Sequence, residues 1–323
     1  MSHWKYFEGS SDDWDKVISN LNNSTYLHYS FWAQYLNHQG WETIRLETKS
    51  SESLGKSFIQ GFIKFYFPKV AIFWFPDWII GDYSLTEDCL KFIREKYRGN
   101  IIYIRFRSHR KSNFSYDIAA NSLFKKAIIQ IDTAKTMWLD LTESEEGLLA
   151  KLSKNWKRNL KRSQRTTYSI SKITEYKLIA KIYREFSELK NLNNLFSEND
   201  IKNLMKIYGD NLVVFGIEID KEIHAIRGVV INKRQATDIF AASNSFARKN
   251  YFSYRLLWEL ITFCKNSNCD VYDLNGVDPQ KNQGVYNFKK GVGSSMVETL
   301  GEFEFSNSFI IKFCINLYIK FFY

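Results

Sequence analysis

Proline and cysteine are scarce in this chain: its 323 residues include three of the first and four of the second. Cys89, Cys264, Cys269 and Cys314 lie far apart except for one C-x4-C pair, and no pair has zinc-finger spacing. The histidines His3, His28, His38, His109 and His224 form no HExxH or HxH arrangement. No metal site is expected. No run reaches the ~20 apolar residues of a membrane span. The opening MSHWKYFEGSSDDWD lacks the apolar region of a secretory signal, so a cytoplasmic location is expected. Glycine is missing from Asn244–Ser253.

Aromatic residues, by contrast, make up 17% of the chain and apolar residues 45%, ample for packed cores and too much for disorder. The net charge of +10 suggests an anionic partner: nucleic acid, phosphate or a lipid surface. The length fits two domains of ordinary size, and a monomer is expected.

Periodicity gives a mixed α and β order. A helix starts near Ser11 with Trp14, Val17, Ile18 and Leu21 on one face, and a second runs from Phe31 to Gln39. Thr43–Glu47, Phe58–Phe67, Val70–Phe75 and Ile101–Phe106 read as strands, with a helix from Thr86 to Tyr97 between the last two. Glu143–Arg165 reads as one connecting helix. Leu149, Leu152, Trp156 and Leu160 form its apolar stripe, and Lys154, Arg158, Lys161 and Arg165 a basic one. The basic stripe is either a solvated face or a contact for phosphates. Helices near Glu175–Leu189 and Asp200–Tyr208 follow, then strands Leu212–Ile219, Glu222–Ile231 and Ala236–Ala242. The amphipathic helix Tyr254–Asn268 comes next. The fold class is α/β (α+β). In the tail, Ser308, Lys312, Asn316 and Lys320 make a narrow polar stripe on an apolar helix. That helix either docks on the protein or lies in a membrane interface, which would put the chain at the inner face of the cytoplasmic membrane.

The most informative stretch is Val271–Gly293, VYDLNGVDPQKNQGVYNFKKGVG. A strand ends at Asn275-Gly276, a loop with Asp278-Pro279 follows, and an aromatic-lysine cluster closes on glycines.

Together these pieces resemble the FemAB-type peptidyltransferases. Ser30-Phe31-Trp32-Ala33 with Gly40-Trp41 is similar to the family's "S-x-W-A … G-W" segment, and Trp156–Arg162 to its basic helix. Tyr272-Asp273-Leu274-Asn275-Gly276, then Gly284-Val285-Tyr286-Asn287-Phe288-Lys289 and Gly293, resembles "Y-D-x-x-G … G-l-y-x-F-K-x-x-x-G". The resemblance implies two GNAT-like domains, each a mixed twisted sheet flanked by helices. Residues 1–150 would form the first, on the acceptor side, completed by the helix 306–323; residues 151–305 would form the second, with the active loop. It implies an aminoacyl or acyl transferase with no bound cofactor, an aminoacyl-tRNA donor, and a muropeptide or other surface-glycan precursor as acceptor. Lys289 would stabilise the oxyanion, and Asp273 would either accept a proton or set the turn. Phe288, Tyr272, Asn275, Gly276 and Tyr286 would bind substrate, and Arg158, Lys161, Arg162 and Arg165 would contact tRNA or a diphosphate. Tyr35 and Leu36 replace a lysine frequent in muropeptide ligases, which leaves another amino sugar open as acceptor. A coenzyme A-dependent N-acyltransferase is the alternative, although a pyrophosphate turn normally contains glycine. A non-catalytic nucleic-acid or membrane binder is the third reading.

Overall fold

The computed structural model describes residues 3–21, 24–48, 55–66, 69–113, 116–190 and 196–322. The chain divides into two compact units, Met1–Ala134 with Glu298–Tyr323, and Lys135–Val297. The sequence reading placed the divisions at 150 and 305.

The first unit opens with β1 (Trp4–Tyr6) and α1 (Ser11–Asn20). Ser10 and Asp13 cap this helix reciprocally, and Trp14 and Ile18 are its buried face. α2 (Ser30–His38), β2 (Glu42–Thr48), β3 (Phe58–Tyr66), β4 (Val70–Phe75), α3 (Thr86–Lys96) and β5 (Ile101–Lys111) follow, then the short α4 (Ile118–Asn121) and β6 (Lys125–Lys126). The strands are rich in aromatic and β-branched residues, which suit a pleated, half-buried surface. Their order is β1-β2-β3-β4-β5, antiparallel except for the β4–β5 pair.

The second unit begins with β7 (Lys135–Asp140). The connector expected as one helix is two, α5 (Glu145–Lys151) and α6 (Lys154–Ser163). Leu152 turns extended at ψ 132°, and the Ser153 hydroxyl accepts from Trp156 N at 3.3 Å to start α6 afresh. β8 (Ser169–Lys172), α7 (Tyr176–Lys190), α8 (Glu198–Tyr208), β9 (Leu212–Ile219), β10 (Glu222–Asn232) and β11 (Gln235–Ser243) come next. α9 (Ser245–Lys249), α10 (Phe252–Asn266), β12 (Val271–Gly276) and α11 (Gln283–Gly291) complete the unit. The sheet order is β7-β12-β11-β10-β9-β8. α10 buries Leu256, Leu257, Leu260, Ile261 and Cys264, an apolar stripe at helical spacing.

β13 (Ser295–Ser306) returns the chain to the first unit, where it pairs antiparallel with β5 and β6, and α12 (Phe309–Phe322) follows. Here the polar stripe faces inward at Lys312 and Asn316, while Lys320 is exposed. Asn316 is buried and donates to Glu304 at 2.9 Å, while Lys312 pairs with the same carboxylate at 3.3 Å. Among the described residues no helix is long and apolar enough to cross a membrane.

Candidate active site

β11 and β12 are parallel but pair over three residues only, ending at Thr237↔Asp273. Past that point the strands part around a cavity of about 630 Å³, lined by Asp238–Ser243, Leu274 and Asn275, with Arg227, Arg248, Tyr251 and Tyr254, and by Phe288 and Lys289 of α11. The parallel pair of the first unit behaves differently. β4 and β5 stay zipped from Val70↔Ile101 to Phe75↔Phe106. Trp78 then stacks on Phe106 at 3.9 Å, with Phe124 edge-on to both rings. Aromatic packing fills the place that lies open in the second unit.

Lys289 is a buried charge of the cavity, 9% exposed. Its Nζ donates to the carbonyls of Asn275 at 3.1 Å and Gly276 at 2.6 Å. Those carbonyls turn toward it because Asn275 adopts φ +64°, a left-handed conformation that asparagine tolerates. The Asn275 amide donates to the Asp238 carbonyl at 3.1 Å and holds the turn against β11. Asp273 accepts from Asn275 N at 2.8 Å and from the Thr136 hydroxyl. Its carboxylate fixes the strand end to β7 and is not part of the cavity lining.

Phe288 packs edge-on against Tyr254 at 4.9 Å, and its backbone carbonyl accepts from Trp156 Nε1 at 3.0 Å. A Cβ on Gly291 would lie 2.9 Å from the Trp156 ring, and one on Gly293, at φ +96°, 2.9 Å from Lys151 Cβ. The two glycines thus let α11 seat on the α5–α6 junction, which aims Phe288 and Lys289 into the cavity. Tyr286 lies half-buried against the core with the Lys290 ammonium 5.6 Å above its ring, outside the lining.

Tyr272, expected to wall the site, sits fully buried one layer behind it and donates to Asp238 at 2.7 Å. Asp238 also accepts from Arg227 Nε at 3.0 Å and from its Nη2, a bidentate pair at the cavity surface. Burial opposes the charge on Arg227, but Asp238 and Tyr272 together outweigh it and hold the guanidinium above its ordinary range. Burial and then the Asp238 charge push the Tyr272 phenol well up. Arg227 also stands 5.7 Å from the Phe288 ring, so the pair supports that wall. Sequence reasoning missed Arg227 and Asp238. Their signal was a lone charge inside each of two apolar strands, HAIRGVVI and ATDIFAA.

Within α6, Arg158 and Lys161 are exposed, and Arg158 donates to Asn155 at 2.6 Å, whereas Arg165, expected on the same helix, is exposed in the turn beyond its end at Ser163. Arg162 is the member that touches the site, donating to the Tyr251 hydroxyl at 3.1 Å. Tyr251 and Arg248 line the cavity beside the start of α10. Tyr251 takes φ +60°, so a tyrosine supplies the left-handed turn that glycine normally would. Arg248 and Tyr251 also escaped the sequence reading, because only the fold brings that loop to α11. Among the described residues no group of His, Cys, Asp and Glu is arranged to hold a metal ion.

Residues 217–313 match the model of the FemAB family. A comparison with curated protein sequences returns no match. Among solved structures, the chain superposes on FemX with a TM-score of 0.82 at 13% identity, over 97% of this chain and 100% of that one. The C-terminal domain of a putative lysylphosphatidylglycerol synthetase from Agrobacterium fabrum gives 0.57 at 13% identity, over 94% and 93%. A tandem GNAT protein from the clavulanic acid biosynthesis pathway gives 0.56 at 10% identity, over 94% and 99%. At such identities the likeness shows the fold, two GNAT-like units in one chain.

Proposed function

We propose that this chain, whose residues 217–313 form a FemAB-family segment, is an aminoacyl or acyl transferase that forms an amide bond on an amine of a cell-envelope precursor. The observation that carries the reading is the open β11–β12 cleft with the Lys289 ammonium anchored in its wall by two backbone carbonyls. An anchored cation needs little reorganisation when negative charge develops beside it, the condition for electrostatic catalysis. In this reaction the acceptor amine attacks the ester carbonyl of the donor and an oxyanion forms. The ester C–O bond then breaks, and the proton lost by the amine ends on the released hydroxyl. Lys289 stabilises the oxyanion, while Phe288 and Tyr254 supply an apolar wall that keeps the donor carbonyl out of bulk water.

The donor most consistent with the surface is aminoacyl-tRNA. Arg158 and Lys161 on α6, with Arg165 in the turn just past its end, are exposed basic residues close in sequence to Arg162, which joins the cavity wall through Tyr251. Acyl-coenzyme A is the competing donor, favoured by Arg248 beside the start of α10, where a pyrophosphate would gain from helix N–H groups. The acceptor is a muropeptide or another amino-sugar precursor of a surface glycan, and the enzyme acts in the cytoplasm.

Titration with aminoacyl-tRNA and with acyl-coenzyme A at a series of matched salt concentrations distinguishes the donors. Tight binding of the first alone is expected, with a salt slope that becomes shallower when Arg158, Lys161 and Arg165 are changed to Gln. Binding of coenzyme A alone would replace the donor. Lys289→Ala is expected to lower turnover by about 10²-fold or more. Full activity in that variant would remove Lys289 from the reaction.

A further inference from the structure

α12 is amphipathic with the usual sense inverted. Lys312 and Asn316 of its polar stripe turn inward, Lys320 is exposed, and its aromatic face looks outward. Phe309 is 83% exposed, Phe313 57% and Phe321 70%, with Ile310, Leu317 and Phe322 beside them. The helix cannot roll to hide this face, because Asn316 and Lys312 are tied to Glu304, and Asn316 Oδ1 accepts from Ile129 N at 3.3 Å. Ile128, 70% exposed on the segment next to Ile129, extends the apolar surface. Isolated exposed apolar side chains are ordinary, but a contiguous aromatic face held outward marks an interaction surface.

Charge selects the occupant. The fourteen residues of α12 include no acid, and of its two lysines Lys312 is paired with Glu304 while Lys320, near the C-terminal end, is exposed. Just before the helix, Asn307 lines a recess that contains Lys91, Arg94 and Arg98, with Glu95 as its carboxylate. An apolar face with cations at both ends matches an anionic lipid surface, in which aromatic rings enter the acyl boundary and the cations meet phosphates. A second copy would bring like charges together. We infer that α12 is a membrane-interface helix, lying in the plane of an anionic bilayer with Phe309, Phe313 and Phe321 inserted. At about 21 Å it is too short to span the bilayer. The inference is independent of the reaction proposed above.

The test is co-sedimentation of the full chain with phosphatidylcholine vesicles, with and without phosphatidylglycerol. Cys314, the exposed cysteine of this helix, carries a polarity-sensitive label in a parallel titration. Binding to the anionic vesicles and a blue shift of the label are expected. Phe309→Ser, Phe313→Ser and Phe321→Ser together should weaken partitioning at least about tenfold with an unchanged melting temperature. Arg94→Gln with Arg98→Gln should weaken it on anionic vesicles only. Absence of vesicle binding overturns the inference, as does a triple-serine variant that binds like the parent. A dimer that dissociates in the triple-serine variant, without vesicle binding, would assign the face to a second copy instead.

Discussion

Asp238 is the residue on which the cavity depends, because it accepts from Arg227 twice and from Tyr272 once within a buried region. Losing one donor to a buried carboxylate costs more than losing a bond in water. Tyr272→Phe is therefore expected to destabilise the second unit by about 1–2 kcal/mol in urea unfolding, with the cavity shape kept. A change below about 0.3 kcal/mol would mean that solvent replaces the hydroxyl. At this scale the sequence was partly legible. Lys289, Phe288 and Asn275 were readable because turn chemistry and an aromatic-lysine cluster sit close together in the chain. Tyr272 entered only through the family resemblance, and strand alternation alone could not say which face carried the cavity. Arg227 and Asp238 are 11 residues apart, and only the β10–β11 register makes them partners.

Between elements, the seat of α11 on the α5–α6 junction decides where Phe288 and Lys289 point. Ser153 N donates to the Gly291 carbonyl at 2.9 Å, and Trp156 holds the Phe288 carbonyl. Gly291→Ala places a methyl 2.9 Å from the Trp156 ring and 3.0 Å from the Ser153 hydroxyl, so the packed ring or α11 itself must shift to accept it. The expected cost is about 1–3 kcal/mol of overpacking, with transferase activity falling more than stability because α11 shifts as a body. Thermal melts and turnover of the same sample check this; unchanged turnover would show that α11 position is not limiting. The glycine spacing was visible in the sequence, but its reason was not, since the atoms that demand it belong to Lys151 and Trp156. The break between α5 and α6 was likewise hidden. Apolar spacing carries through Leu149, Leu152, Trp156 and Leu160, and only the Ser153 cap interrupts the helix.

Across the whole chain, the tandem order of helices and strands was legible from periodicity, whereas the return of β13 to the first unit was not. Pairing between Ser306 and Tyr103 spans some two hundred residues, and no local signal reports it. What separates the units chemically is a titrating core in the first. His28 is buried, its Nδ1 accepts from Thr25 N at 3.1 Å, and its Nε2 faces the Trp78 carbonyl at 3.0 Å. This arrangement satisfies the neutral imidazole, with the Thr25 hydroxyl at 3.1 Å and the Asp77 carboxylate at 3.8 Å also beside Nδ1. Burial lowers the His28 pKa below its ordinary 6.5, more than nearby Asp77 raises it. A lowered folded value means that the unfolded chain takes up the proton first as pH falls. Stability from His28 is therefore complete above about pH 6.5 and is lost as pH drops through that value, by up to about 1.4 kcal/mol per pH unit. Asp77 adds its own loss only at more acid pH, because its histidine neighbours outweigh burial and hold it below the usual carboxylate range. Melting of the first unit should thus move to lower temperature between pH 7.5 and 5.5, and His28→Gln should flatten that dependence. Equal slopes in the parent and the variant would place the titrating group elsewhere.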